Sequence, residues 1–204
     1  DSRAKRLWAS GSTLPEMRGY TAADRGRALL AAFDLTNGRL LATYPAPADG
    51  ANHVVGDFTI ASDGTIYATD SLAPILWRLS PNGSSLEKWL ESDQFSSLQG
   101  VVQSADGAAL YVSDYANGLW WVDLATRAIR LLPAPPHTTL FGIDGLQAVP
   151  GGLIAVQNGI NPPRILRLSL DATGFPTAAK VLFAGDASTS DFSLGQVVGD
   201  HFEF

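Results

Sequence analysis

Short apolar stretches, each closed by Gly, Pro, Asn, Asp or Ser, recur along the whole chain and predict β-strands. They come in a fixed order: an apolar lead-in strand, a turn, an aromatic-containing strand, a loop, an apolar strand ending in polar residues, and a last strand. One copy reads GDFTIASDGTIYATDS (56–71), ILWRLSPNG (75–83) and LEKWL (86–90). The next reads QGVVQSADGAALYVSDY (99–115), LWWVDLATR (119–127) and AIRLL (128–132). A third reads DGLQAVPGGLIAVQNG (144–159), RILRLSLDATG (164–174) and AAKVLF (179–184).

The copies share a register. Tyr67, Tyr111 and Ile154 fall 44 and 43 residues apart, and Asp57, Gly100 and Gly145 fall 43 and 45 apart. Asp63-Gly64, Asp106-Gly107 and Gly151-Gly152 occupy the same turn and predict a tight hairpin between the first two strands. Four short strands at a period near 44 is the spacing of a propeller blade. The predicted fold class is therefore all-β, a β-propeller of four-stranded antiparallel blades. A β-sandwich of about a dozen strands is the competing reading, but sandwiches do not normally repeat at a constant four-strand interval. Only residues 21–33 have helical composition, and Gly26 lies among them.

Broken copies stand at the ends. RLWASG (6–11), ALLAAFDLTNG (28–38) and RLLATYP (39–45) read as second, third and fourth strands, with a longer loop over 12–27. LGQVVGDHFEF (194–204) reads as a first strand, a Gly-Asp turn and the start of a second. The expectation is one propeller domain over 1–204: a partial blade over 1–49, blades at about 50–93, 94–137 and 138–186, and a partial blade over 187–204. On this register the first blade's own lead-in strand lies upstream of Asp1, and the chain stops inside a hairpin.

Composition narrows the function classes. A net charge of −6, with no Lys/Arg run beyond the short stretch Arg3 to Arg6, argues against nucleic acid, which needs a clustered basic face. The absence of cysteine excludes disulfides, thiolate metal sites and a cysteine nucleophile. No apolar stretch approaches the ~20 residues of a membrane span, and periplasmic, secreted and cytoplasmic settings all stay open. No GxSxG, P-loop or GxGxxG pattern is present. His53, His137 and His201 show no mutual metal spacing, and His53 is the least bland because it lies just before the lead-in at Asp57.

The segments ending in YATDS, LYVSDY and IAVQNG resemble the senescence marker protein/gluconolactonase (regucalcin-like) family, over about residues 50–204 and more loosely over 1–49. The resemblance implies a six-bladed propeller, about four blades of which stand in this chain, and a metal-dependent lactone hydrolase. IDGLQAVPGGLIAVQNG (143–159) carries it most specifically. On that match Asp144 takes the family's metal-ligand aspartate position. Gln99-Gly100 stands where the family has Asn-Gly, and Gly56-Asp57 where an Asn-Asp pair often contacts substrate. The family's glutamate ligand belongs to a blade upstream of Asp1.

The chemistry follows from convergence. Lead-in strands point toward the propeller axis, so Asp57, Gln99 and Asp144, each about one repeat apart, are expected to gather at one end of the channel. Asp144 and Gln99 are the candidate metal ligands for a divalent cation, calcium first and zinc second. The metal would act as a Lewis acid on a lactone carbonyl and lower the pKa of bound water, with Asp144 as the candidate catalytic carboxylate. Asp57, His53 and Asn158 are the candidate substrate-binding residues. The alternative is a non-catalytic propeller that binds a small molecule or a protein partner. It is favoured by the changed residues at Gln99 and Gly56. Asp70 and Asp114, which end second strands, are expected to be structural hydrogen-bonding residues.

Overall fold

Strands follow one another with almost no helix between them, as the repeat predicts. The structure is a computed structural model that describes residues 1, 4–186, 189 and 192–204. Arg3 of the basic stretch, and residues 187, 188, 190 and 191 at the start of the expected last partial blade, lie outside the described residues. The chain divides into two compact units, Asp1–Gln94 and Phe95–Phe204.

In the first unit, β1 (Arg6–Ser12), β2 (Ala28–Asp34) and β3 (Leu40–Pro45) form an antiparallel three-stranded sheet in that order. The predicted loop between β1 and β2 holds a single 3-10 turn, Ala22–Asp24. β4 (Val55–Ile60), β5 (Ile66–Asp70), β6 (Ile75–Leu79) and β7 (Glu87–Glu91) form the first four-stranded antiparallel sheet. Ala28 and Leu30 of one sheet pack with Val55, Ile66, Trp77 and Leu79 of the other. Ser12 Oγ at the end of β1 accepts a hydrogen bond from the Val55 N–H on the next sheet (3.0 Å).

The second unit carries two more four-stranded antiparallel sheets. One comprises β8 (Leu98–Gln103), β9 (Ala109–Asp114), β10 (Gly118–Asp123) and β11 (Ile129–Leu131). The other comprises β12 (Ile143–Val149), β13 (Gly152–Gln157), β14 (Arg164–Leu170) and β15 (Pro176–Ala184). A hairpin of β16 (Gln196–Val198) and β17 (His201–Glu203) follows. Leu119, Ile143, Leu146, Leu153 and Leu166 form the buried centre of this unit. Each such fully buried aliphatic side chain contributes about 1.5–3 kcal/mol of transfer free energy.

The second strand of every four-stranded sheet is buried at each residue, including its polar ones. Each has sheet neighbours on both edges, and a strand buried on both faces reads as a near-continuous apolar run. Outer strands such as β15 are mostly exposed. One turn departs from the expected register. The β4–β5 and β8–β9 connections are five residues long, with Gly64 and Gly107 at positive φ, but β12 and β13 are joined by Pro150-Gly151 alone. Gly152, expected in that turn, is instead the first residue of β13.

Candidate functional site

The lead-in strands of the three four-stranded sheets are irregular at the same place. The pairing slips between Val55 and Phe58, between Leu98 and Val101, and between Ile143 and Gly145. Asp57, Gln99 and Asp144 all sit in these bulges, where a strand bends and re-aims its side chains. A second-strand hydroxyl braces two of them: the Asp57 N–H donates to Thr69 Oγ1 (3.1 Å), and the Gly100 N–H donates to Ser113 Oγ (2.8 Å).

In the second unit the bulges of neighbouring sheets meet. A Cβ on Gly100 would stand 2.7 Å from the Asp144 carbonyl oxygen and 2.8 Å from the Leu146 nitrogen. Glycine at 100 is thus what lets the two lead-in strands touch, backbone to backbone. The Gln99 side chain beside it donates to Ser97 Oγ (3.1 Å).

Two of the expected site residues come together through their side chains. The Asn158 amide donates to Asp144 Oδ2 (2.8 Å) and to the Phe192 carbonyl (3.0 Å), with Ser193 Oγ at 3.5 Å. Its oxygen accepts from the Tyr115 hydroxyl (3.1 Å). Two pure acceptors facing the amide nitrogen fix which way this side chain points. Among the described residues, Asp144 Oδ1 receives no hydrogen bond. Asp144 and Asn158 are half-buried and Tyr115 is 37% exposed, so the chain of contacts runs from the interior to solvent. Tyr115 was not singled out from the sequence, yet a signal existed. It follows Asp114 as Asn158 follows Gln157, and the two lie 43 residues apart, one repeat.

In the first unit, Asp57 Oδ1 accepts from the Phe58 N–H (2.7 Å). His53 is 1% exposed; its Nδ1 lies 2.7 Å from Asp70 Oδ2, its Nε2 lies 3.0 Å from Asp49 Oδ1, and its ring sits edge-on to Trp77. Both ring nitrogens are engaged within the protein. In this arrangement His53 is a framework residue, because a ligand would have to displace a carboxylate to reach it.

Asp70 is the hub of that framework, accepting from Val54, Leu72 and Ala73 N–H groups and from the Trp77 indole. Asp114 repeats the pattern with Ser96, Ser97, Ala116 and Asn117 N–H groups and the Trp120 indole. Gln157 takes the same place in the next sheet, donating to the Thr139 and Phe141 carbonyls and accepting from Arg164 Nε. All three are fully buried. They tie the loop before each lead-in strand to the turn after its second strand, which holds the bulge in position.

The residues around Asp144 do not fit a hard divalent cation. Such an ion wants six to eight oxygen donors. Here the nearest side chain presents an amide N–H₂ to the carboxylate. Among the described residues no group of three His, Cys, Asp or Glu converges on one point.

No family model matches the sequence, and no curated protein does. Solved structures do. A chain of the nidogen/laminin complex superposes with TM-score 0.60 at 17% identity, over 78% of this chain and 59% of that one. A catalytically inactive form of virginiamycin B lyase from Staphylococcus aureus, solved with quinupristin, gives 0.56 at 17% identity, over 86% and 59%. A protein of unknown function from Bacteroides caccae gives 0.60 at 14% identity, over 83% and 67%. The fold is that of a β-propeller. This chain spans 59% of the length of the first two, and their likeness carries no function with it.

Proposed function

We propose that this chain is a small-molecule-binding propeller, with its recognition site at the bulged lead-in end around Asp144, Asn158 and Tyr115. The observation that carries this is the hydrogen-bonded series from Tyr115 through Asn158 to Asp144, which leaves Asp144 Oδ1 as an acceptor. A carboxylate held on one oxygen and open on the other suits a ligand that brings hydroxyl or amino donors. Its orientation is set before binding, which lowers the entropic cost of recognition. The metal-dependent lactone hydrolase implied by the resemblance to the senescence marker protein/gluconolactonase family would use the same Asp144. The amide donor facing that carboxylate favours binding over metal chemistry.

The test uses the whole chain and a panel of neutral sugars with glucono-1,5-lactone, each with and without calcium. Backbone amide shifts at 144 and 158 report binding, and base consumption at constant pH reports hydrolysis. A panel member is expected to shift those amides without calcium, and Asn158→Ala is expected to weaken it about ten-fold, roughly 1.4 kcal/mol. Calcium-dependent hydrolysis that disappears in Asp144→Ala would restore the hydrolase reading. A panel that leaves both amides unmoved would count against the site itself.

A further inference from the structure

Asp144 stands at the start of β12, and a separate cleft of about 290 Å³ opens at the far end of that strand, among the β8–β9, β12–β13 and β14–β15 turns. Tyr111, Trp121, Leu153 and Leu170 give it apolar walls, and Asp106 and Asp171 also line it. Among the described residues no Lys, Arg or His does. Asp106 Oδ1 accepts from Ser104 Oγ (2.6 Å) and the Ala108 N–H (3.0 Å). Asp171 Oδ1 accepts from the Thr173 hydroxyl (2.7 Å) and the Thr173 and Phe175 N–H groups (2.8 and 3.0 Å). Among the described residues nothing bonds to Oδ2 of either, and neither is in an ion pair.

These neutral donors, the Ser104 hydroxyl first for Asp106 and the Thr173 hydroxyl first for Asp171, hold both carboxyls below the usual range. Both are therefore charged at neutral pH. The Tyr111 phenol is pushed up by its burial and then by the charges of Asp106 and Asp171, so both carboxylates act on one hydroxyl. That hydroxyl donates to the Gly174 carbonyl (3.0 Å). The Trp121 indole N–H, beside Gly174, makes no hydrogen bond among the described residues. Arg130 stacks on the same indole (4.7 Å) and on Phe175 (5.0 Å) without lining the cleft, so the fold already uses this ring to hold a cation.

We propose that this cleft binds a small organic cation, its ammonium or amidinium group taken by the Asp106 and Asp171 carboxylates and its apolar stem laid along Trp121 and Tyr111. The volume lies at the lower end of the ~300–1,000 Å³ typical of ligand pockets, which limits the stem to a few carbons or one ring. Two carboxylates that make no ion pair among the described residues, set beside aromatic walls, select against anions and against neutral molecules of the same shape. The inference is independent of Asp144.

The probe is phenethylamine, with 2-phenylethanol as its uncharged counterpart, titrated into the whole chain while the Trp121 indole N–H resonance is followed. Trp121→Phe identifies that signal. Phenethylamine is expected to move it saturably, with 2-phenylethanol giving no saturable change. Asp106→Asn with Asp171→Asn keeps an acceptor oxygen for each turn, and is expected to weaken the amine at least ten-fold. If the double variant loses its native spectrum, each single variant is expected to weaken it several-fold. An equal response to the alcohol, an amine response unchanged in the Asn variants, or no response at millimolar amine would each overturn the proposal.

Discussion

A single carboxylate can organise a whole blade corner when it is buried without a cation. Asp114 is 0% exposed and faces four backbone N–H groups, the Asn117 amide and the Trp120 indole. Oriented N–H dipoles saturate both of its oxygens, and among the described residues no cation pairs with it. Truncating it would leave those donors dry and unpaired, at about 1–3 kcal/mol for each one that water cannot reach. Asp114→Ala is therefore expected to cost roughly 3 kcal/mol or more, read from the urea midpoint, and Asp114→Asn distinctly less. An Ala variant as stable as the parent would mean that the hub is decorative. The same logic explains why His53 beside Asp70 reads as framework, although its place before a lead-in strand suggested a ligand contact.

Three of the turns between third and fourth strands, all but β6–β7, reuse one device: an aspartate whose carboxylate caps the N–H groups that follow it. Asp34 is held low chiefly by the Thr36 N–H, Asp123 by the Thr126 N–H, and Asp171 by the Thr173 hydroxyl and then the Phe175 N–H. A carboxyl lowered in the folded state stabilises it fully above its unfolded value, near 3.8, and loses that contribution as pH falls through the folded value beneath it. Stability from these groups should be flat from about pH 7 to 5 and fall below about pH 4. Urea midpoints across that range should fall less steeply when Asp34, Asp123 and Asp171 are all changed to Asn. A parallel fall in both proteins would remove the turns as a source of acid sensitivity. Elements of this kind were legible in the sequence because strand order and period are properties of a few neighbouring residues. The β12–β13 turn was misplaced by one residue because Gly151 and Gly152 look alike as letters. Only Gly151 takes the positive φ, while Gly152 lies so close to the Leu168 carbonyl that a Cβ would collide with it.

Across the molecule, the repeat told which residues occupy equivalent places but not which of them touch. Asp144 and Asn158 were both legible as candidates, being a strand start and a strand end of one copy. Their contact, and the reach of Tyr115 to Asn158, depend on how neighbouring blades close on each other, which periodicity does not encode. The cleft beside Asp106 and Asp171 went unread for the same reason, since its walls come from three separate turns. What sets the closure between β8 and β12 is the lack of a side chain at Gly100. There a Cβ meets fixed backbone, the Asp144 carbonyl and the Leu146 N–H. At Gly56, in the bulge of the first four-stranded sheet, a Cβ meets first the Ser71 hydroxyl, the end of a side chain rather than fixed backbone. The two glycines should therefore answer differently to the same change. Gly100→Ala should cost roughly 1–3 kcal/mol, as overpacked sites do, and Gly56→Ala clearly less. The damage at Gly100 should also spread to the next blade, with faster amide exchange at 145 and 146 and weaker ligand binding at Asp144. Equal costs at the two positions, or exchange changes confined to β8 and β9, would show that the lead-in strands are placed by their own sheets rather than by one another.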